Sequence, residues 1–292
     1  MAQPVLEVKG LTKSFSSGFI PKKITILQNV NFSISAGTIT GFLGPNGCGK
    51  TTTIKCILNL IFADSGEVKY FGQSKLTNEI LEKIGFLPER PYFYSYLTGA
   101  EFLFFYAELS NAFKSKREIN ERIDQLLTRV GLEHARDRQL KDYSKGMLQR
   151  VGIAQALIHR PKLIILDEPM SGLDPDGRIE VANIIRETAK EGTAVFFSSH
   201  LLPDAEKLCE RLVIIKKGII IYEGNTKSLL EQASLGWSVS FADGTQQVRS
   251  ILVESLSSLQ NEIDRIRNAG HNILDVKKEH LSLEDAFRKL VV

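Results

Sequence analysis

The first 90 residues alternate short apolar runs with turn residues, and one longer stretch has helical spacing. Strands are predicted at 5–15, 24–34, 38–44, 65–72 and 84–89. Between the third and fourth of these runs, apolar side chains from Thr51 to Ile61 recur with the spacing of a helix. A strand, a glycine-rich loop and a helix therefore follow one another directly around residues 44–51.

The middle of the chain changes from helical spacing to buried strands. Residues 97–139 are predicted to be helical, and five apolar side chains of segment 118–132 share one helical face. They are Ile119, Ile123, Leu126, Leu127 and Val130. Three apolar strands follow at 162–169, 193–199 and 211–218. Because the first two are almost continuously apolar, as parallel strands covered on both faces must be, we predict an α/β fold with a largely helical insertion.

The last part of the chain has a different pattern. Strands are predicted at 237–241, 246–253 and 272–278, a helix at 255–269, and a final helix after Ser282. This arrangement is typical of a small α+β domain. We therefore predict one domain at 1–225, with a helical subdomain at about 90–160, and a C-terminal α+β accessory domain at 226–292.

Composition excludes several classes of protein. The 292 residues are 43% hydrophobic and 24% charged, which is ordinary for globular proteins, and the net charge of +3 provides no basic surface for nucleic acid. Cys48, Cys56 and Cys209 lack paired spacing and are predicted to be free thiols of a reducing compartment. The N-terminus lacks signal-peptide features, and every apolar stretch is shorter than the roughly 18 residues of a membrane span. We expect any membrane role to depend on a partner.

The segment "GPNGCGKT", Gly44 to Thr51, has the pattern G-x-x-x-x-G-K-[ST] between a predicted strand and helix. In such a loop, backbone amides and the helix N-terminus hold phosphates. Lys50 is expected to bridge the terminal phosphates, and the Thr51 hydroxyl to bind magnesium. A glycine-rich turn with a chance lysine is the alternative, which the flanking strand and helix disfavour. For Cys48 we expect a small side chain facing away rather than a redox switch.

Three candidate catalytic side chains lie at the ends of apolar strands. Asp167 and Glu168 end "LIILDEP", and His200 ends "FFSSH". Parallel sheets place ligand-binding groups at this edge. Asp167 is suited to magnesium, Glu168 to polarising the water that attacks the γ-phosphate, and His200 to sensing that phosphate. A helix cap would explain one carboxylate but not both, and a lone histidine is more often structural.

These motifs resemble those of the nucleotide-binding subunits of ATP-binding cassette (ABC) transporters over about residues 5–225. "GPNGCGKT" resembles the Walker A loop, "LIILDEP" the Walker B strand, "SGLDP" at 171–175 the D-loop, and His200 the switch histidine. "YSKGMLQR", 143–150, falls where the family has its LSGGQ signature. A P-loop alone would not identify this family, whereas a signature-like segment before Walker B does.

The resemblance implies a P-loop NTPase sheet with an antiparallel β subdomain, the helical insertion and the C-terminal appendage. It implies ATP and Mg²⁺ as ligands, with Glu168, His200 and Lys50 as catalytic residues. The nucleotide-binding residues implied are Phe15, Gly44, Pro45, Asn46, Gly47, Cys48, Gly49, Lys50, Thr51 and Thr52. Phe15 would stack on adenine, with core packing as the alternative. Glu89 replaces the family's glutamine and would bind metal together with Thr51 and Asp167.

The signature segment is expected to act on a second subunit. Ser144, Lys145 and Gly146, at the start of a helix over 147–159, would bind the γ-phosphate held by a partner in a head-to-tail dimer. Tyr143, Lys145 and Met147 depart from the family pattern. Lys145 in place of glycine could direct its charge toward the phosphates or be solvated.

The function implied is that of the ATP-hydrolysing subunit of an ABC transporter, powering movement across a membrane through ATP-driven dimerisation and hydrolysis. "LPE", "SKGM" and "SLEDAF" resemble the ABC-2-type exporter branch. We expect a homodimer, a separate transmembrane permease contacted by Tyr92 to Tyr96, no nucleic-acid partner, and a peripheral position on the cytoplasmic face. The alternatives are a soluble ABC ATPase acting on a nucleic-acid or ribosomal machine and a nucleotide-gated scaffold.

Overall fold

A computed structural model describes residues 3–17, 22–232, 234–242, 247–253, 255–280 and 282–291. The strands are β1 Leu6–Ser17, β2 Lys22–Ile34, β3 Ile39–Leu43, β4 Ser65–Tyr70, β5 Ile84–Leu87, β6 Leu163–Leu166, β7 Ala194–Ser199, β8 Arg211–Lys216, β9 Ile219–Asn225, β10 Ser234–Ala242, β11 Val248–Val253 and β12 Asn272–His280. The helices are α1 Lys50–Ile57, α2 Asn78–Leu81, α3 Gly99–Ser110, α4 Lys116–Arg129, α5 Lys145–Leu157, α6 Pro175–Lys190, α7 Leu202–Leu208, α8 Thr226–Gln232, α9 Leu256–Asn268 and α10 Leu283–Val291. The chain divides into two compact units, one ending at Glu223 and the other beginning at Gly224.

The first unit is built on a six-stranded sheet with the order β5-β6-β7-β3-β8-β9. β3 pairs in parallel with both β7 and β8, and β6 with both β5 and β7. Every residue of β3, β6 and β7 is buried, as their continuous apolar sequences predict. Because these strands are parallel, the segments that follow β3, β6 and β7 emerge at the same edge of the sheet.

A second, antiparallel sheet with the order β2-β1-β4 belongs to the same unit. Its apolar face joins the core of the six-stranded sheet: the ring of Phe32 on β2 stacks with those of Phe42 and Phe196, at centroid distances of 5.5 Å each. Ile54 and Ile57 of α1 belong to the same buried cluster. The α/β fold class with an antiparallel β subdomain is therefore confirmed.

The helical insertion lies between β5 and β6 and contains α3, α4 and α5. The predicted apolar face of α4 is buried, with Ile119, Ile123, Leu126 and Leu127 inward. α5 begins at Lys145, two residues before the predicted start. Arg129 on α4 donates to Thr188 Oγ1 at 2.9 Å and to Glu191 Oε2 at 2.7 Å, which attaches the insertion to α6 and the residue after it.

The second unit contains a three-stranded antiparallel sheet, β11-β10-β12, with α9 packed on one face. Its small core consists of Val239, Phe241, Val253, Leu259 and Ile266. Across the described ranges of the chain, no helix combines the length and apolar character needed to cross a bilayer.

Candidate functional site: a phosphate-binding loop and its surroundings

The loop between β3 and α1 is shaped by glycines. Gly47 and Gly49 have φ angles of +77° and +114°, in the left-handed region that side chains disfavour. Position 44 requires glycine for a steric reason instead, because an added Cβ would lie 2.4 Å from the Ile215 carbonyl oxygen. These constraints hold the backbone in a narrow turn that ends at the N-terminus of α1. A turn of this kind presents amide groups to an anion.

Lys50, the first residue of α1, is buried beneath the loop. Its ammonium donates to the Gly44 carbonyl oxygen at 2.8 Å and lies 3.2 Å from Glu168 Oε1. Both side chains are more than 90% buried. An ion pair removed from water in this way is costly to break, because each buried charge would lose its partner.

Asp167 is held beside the magnesium-binding candidate Thr51. The Ser198 hydroxyl donates to Asp167 Oδ1 at 2.5 Å, and the Thr51 side chain lies close enough to the Asp167 carboxylate to favour its charged form. Burial raises the pKa of Asp167, and these contacts oppose the shift. A nearby cation would favour the ionised form of this carboxyl group.

Glu168 links the loop to His200. Its backbone has a φ of +52°, unusual for a residue with a side chain, and its amide donates to Ser198 Oγ at 2.8 Å. Its Oε2 lies 2.7 Å from His200 Nδ1. Such backbone strain persists where surrounding contacts impose it, often at functional sites. Glu168 is thus aimed between the cation of Lys50 and the imidazole of His200.

These side chains surround one cavity of about 670 Å³, within the usual size of ligand sites. It is lined by Phe15, Ile26, Asn46, Gly47, Gly49, Lys50, Thr51, Thr52, Glu89, Glu168, Ser171 and His200. Phe15 is 43% exposed and faces this space rather than the core. Of the predicted nucleotide-binding residues, Gly44, Pro45 and Cys48 do not line this cavity; Gly44 and Cys48 are buried, whereas Pro45 is exposed.

Cys48 is buried and packs behind the loop, where an added Cβ on Gly44 would meet its Sγ at 2.6 Å. Burial raises the pKa of its thiol. Cys56 and Cys209 are also buried, and neither forms a disulfide.

The cavity fits a nucleoside triphosphate with magnesium on three observations: the amide-lined turn, the buried lysine, and the contact between Thr51 and Asp167. Among the residues that the structure describes, no three acidic, histidine or cysteine side chains converge into a metal-binding group. An ion at this position would therefore take few protein ligands, Thr51, Asp167 and Glu89, and its other oxygen ligands from phosphate and water, as magnesium commonly does.

The signature-like segment lies outside this cavity. Ser144 is the N-cap of α5, and its Oγ accepts a hydrogen bond from the Met147 amide at 3.2 Å. Ser144 and Lys145 are exposed, and Gly146 is half-buried. None of the three lines the cavity around Lys50. The sequence pattern brings these residues to a helix N-terminus, but not to the cavity of their own chain.

Tyr143 replaces the apolar residue of the family pattern and is buried. Its hydroxyl donates to the Ala135 carbonyl oxygen at 2.7 Å, and an added Cβ on Gly99 would clash with this hydroxyl. Burial raises the pKa of the Tyr143 phenol. A tyrosine is therefore accommodated because residue 99 is glycine, and it attaches the segment before α5 to the rest of the insertion.

The sequence did not predict a role at this site for Ser198, Ile26 or Ser171. Ser198 bonds both Asp167 and Glu168, and Ile26 and Ser171 line the cavity. Ser198 lies on β7, two residues before His200, which follows the end of that strand, and this closeness in sequence was an available signal. Ile26 had none, because its strand belongs to the other sheet.

A second concave surface, of about 740 Å³, lies on the helical insertion. Tyr94, Tyr96, Phe104 and Phe105 contribute its aromatic part, and Glu101, Glu108, Arg136 and Asp137 contribute charges. Beside it, Tyr92 is 78% exposed and packs edge to face against Tyr94, with ring centroids 5.6 Å apart. Exposed aromatic side chains clustered in this way are typical of protein interfaces.

The fold and the cavity together define a P-loop nucleotide-binding α/β protein. A sequence profile described as "ABC transporter" matches residues 27–171. The ABC transporter ATP-binding protein YdbJ of Bacillus subtilis is 39% identical over 306 residues, covering 99% of this chain and 96% of that protein. The bacitracin transport ATP-binding protein BcrA of Enterococcus faecalis is 33% identical, covering 98% and 96%.

A solved dimeric structure of a post-hydrolysis state of the ATP-binding cassette MJ0796, bound to ADP and Pi, is also similar. Its TM-score is 0.68 at 26% identity, covering 76% of this chain and 98% of that one. The chain belongs to the ABC transporter family and is one of its ATP-binding proteins. These similarities support the transport interpretation over a soluble nucleic-acid or ribosomal machine.

Proposed function

We propose that this ATP-binding protein hydrolyses ATP with magnesium, as one half of a head-to-tail homodimer, and drives transport through a separate permease. The observation that carries the proposal is that the candidate phosphate-binding groups lie in two separate places on the chain. Lys50, Glu168 and His200 converge on one cavity, whereas Ser144 projects at an exposed helix N-terminus outside it.

Within one chain, the proposed chemistry begins when an ATP phosphate replaces Glu168 as the partner of Lys50. Phe15 stacks on the adenine, and the turn amides with Lys50 hold the phosphates. Thr51, Asp167 and Glu89 would hold magnesium, which would offset negative charge on the phosphates. Once phosphate replaces Glu168 at Lys50, the freed carboxylate accepts a proton from the attacking water. His200 keeps Glu168 oriented toward that water and contacts the γ-phosphate.

The second chain completes the site. Ser144 and the amides of Lys145 and Gly146, at the positive end of α5, bind the γ-phosphate held by the partner. The dimeric form of the similar cassette MJ0796 supports this part of the proposal. ATP then stabilises the dimer, and loss of the γ-phosphate removes the bridging contacts. The dimer therefore opens after hydrolysis, which is a two-state switch driven by differential ligand contacts.

The permease is proposed to dock on the aromatic surface of the helical insertion, through Tyr92 to Tyr96. This places the subunit on the cytoplasmic face of the membrane. Similarity to the bacitracin transport protein supports a transport role, and the exporter branch rests on the resemblance of "LPE", "SKGM" and "SLEDAF". A photo-cross-linking amino acid at exposed Tyr92 should capture a co-expressed permease, whereas one at exposed Val248, in the second unit, should not. Capture only from position 248 would contradict this docking site.

The central experiment compares the wild-type protein with Glu168→Gln. The amide cannot accept the proton, so we expect hydrolysis to fall by about 10²–10⁴-fold. ATP binding should remain, and an ATP-bound dimer should accumulate. Phosphate release and light scattering after size-exclusion chromatography would measure the two effects. Wild-type hydrolysis by the variant would remove Glu168 from its role, and turnover by a protein that stays monomeric throughout would contradict the two-chain site.

A further inference from the structure

The side chain of Lys145 contacts the loop that follows Glu168. An added Cβ on Gly172 would lie only 1.9 Å from Lys145 Nζ and 3.1 Å from its Cε. The end of the lysine side chain therefore lies against the bare Cα of Gly172, in space that any other residue would fill. Gly172 also has a φ of +68°, so both its backbone and its missing side chain suit this contact.

The position of this cation is otherwise unfavourable. Lys145 is the first residue of α5, whose first turn contains no acidic residue, and the positive end of a helix repels a cation. Within the described ranges, no carboxylate forms a salt bridge with Lys145. Neither helix electrostatics nor an ion pair thus accounts for a lysine here, and the contact that the structure gives its side chain is with Gly172.

Gly172 lies in the middle of a loop that is fastened at both ends. The Ser171 amide donates to the Glu168 carbonyl oxygen at 3.1 Å, which ties the loop directly to the strained carboxylate residue. At the far end, Asp174 caps α6 by accepting from the Gly177 amide at 3.0 Å. A group pressing on Gly172 therefore acts on a short segment whose first residue is Glu168.

We propose that Lys145 is a positioning residue, which joins the start of α5 to the 168–174 loop of its own chain and so sets the orientation of Glu168. The inference rests on the proposed function for its catalytic consequence. It assigns Lys145 to its own chain rather than to the partner's phosphate. Movement of the helical insertion would then be transmitted to Glu168 through one side chain.

Steady-state kinetics test the catalytic consequence. Lys145→Met keeps the aliphatic chain and removes the ammonium, and we expect kcat to fall about tenfold while KM for ATP changes by less than about twofold. Lys145→Arg should recover most of the loss. Lys141→Met, at an exposed lysine just before the signature, is the matched control and should retain wild-type kcat. An unchanged kcat in Lys145→Met, or a raised KM alone, would overturn the proposal.

ATP-driven dimerisation separates positioning from phosphate binding. In a Glu168→Gln background, Lys145→Met should still form the ATP-bound dimer at the parental nucleotide concentration. Failure to dimerise would show that the ammonium binds the partner's phosphate, and the assignment would be wrong.

Hydrogen exchange of the nucleotide-free chain tests the contact without relying on activity. The amides of residues 170–173 should exchange about threefold faster in Lys145→Met than in wild-type or Lys141→Met protein, because the loop loses a packing partner. Equal exchange in all three proteins would refute the contact. If instead wild-type protein fails to hydrolyse ATP while the exchange difference is present, the proposed function is wrong and the contact stands.

Discussion

Two helix N-termini of this chain, those of α1 and α5, are proposed to bind phosphate, and they are built differently. α1 is preceded by Gly49, which has no side chain to cap the helix, and its first residue Lys50 is buried. α5 is capped by the Ser144 side chain, and its first residue Lys145 is exposed. In α1 the helix amides are left for a ligand, whereas in α5 one of them is already occupied by Ser144.

The surroundings of the two helix starts explain the difference. The loop before α1 is enclosed by neighbouring strands: an added Cβ on Gly49 would meet Leu27 Cδ2 at 2.7 Å, and one on Gly44 would meet Ile215. Around Gly146, the nearest atom to an added Cβ is Ser144 Oγ at 4.0 Å. The first helix start is concave and largely complete. The second is an open surface, and it can enclose a phosphate only against another molecule.

The enclosed site is the loop Gly44 to Thr51 at the start of α1. Removing its cation should have the largest effect on ATP hydrolysis. Lys50→Ala eliminates the group proposed to hold the terminal phosphates and leaves Glu168 without its ion-pair partner. We expect hydrolysis to fall at least about 100-fold and ATP affinity to drop, as when a preorganised electrostatic donor is lost. Lys55→Ala, at an exposed lysine of the same helix, is the control. Undiminished turnover in Lys50→Ala would show that the enclosed site is not the catalytic one.

The open site is the start of α5 at Ser144 to Gly146. Blocking it should abolish ATP-driven dimerisation but not nucleotide binding. Ser144→Arg removes a helix cap, which costs about 1 kcal/mol of stability, and fills the proposed phosphate position. Ser115→Arg is a matched control, because Ser115 caps α4 in the same way through the Glu118 amide. With Glu168→Gln in both, light scattering should show ATP-driven dimers only for the Ser115 variant. Dimers of the Ser144 variant would refute the contact between chains.

Alanine at one glycine of each region should distinguish their packing. Gly44→Ala overpacks the enclosed loop, so we expect the free energy of unfolding to fall by about 1–3 kcal/mol. Gly146→Ala meets open space within a helix, where alanine is favoured by up to about 1 kcal/mol. Urea unfolding of the nucleotide-free proteins measures both changes. Equal losses in the two variants would contradict the contrast between enclosed and open sites.

The smallest effect is expected at the residue before the open site. Tyr143→Phe removes the hydroxyl that donates to the Ala135 carbonyl and should lower the free energy of unfolding by about 1 kcal/mol. ATP binding should be unaffected. Tyr222→Phe provides a comparison at a half-buried tyrosine. A loss of ATP affinity in Tyr143→Phe would connect the signature segment to the cavity of its own chain. The contrast between an enclosed site at α1 and an open site at α5 would then be weaker.

The elements of the site that lie within continuous motifs were predictable. The loop from Gly44 to Thr51 is recognisable because its strand, turn and helix are adjacent in sequence. Asp167 and His200 were predicted at one edge because parallel strands end together. The start of α5 was misplaced by two residues, since Ser144 can cap only the residues that directly follow it.

The pairing of Tyr143 with Gly99 was not predictable, because 44 positions separate them and no local pattern connects a tyrosine to a distant glycine. The same holds for Phe15. Its strand pattern suited either the core or the adenine position, and in the structure its ring is exposed at the cavity rather than packed in the core.

By itself, the sequence determined the α/β class, the phosphate-binding loop and the family, because these depend on periodicity and on residues close together in the chain. Only the tertiary structure decided that Lys50 pairs with Glu168, that Lys145 lies against Gly172, and that Ser144 stays outside the cavity. Those contacts join segments that are distant in sequence. Their distances follow from how the sheets and the helical insertion pack, which no local pattern specifies.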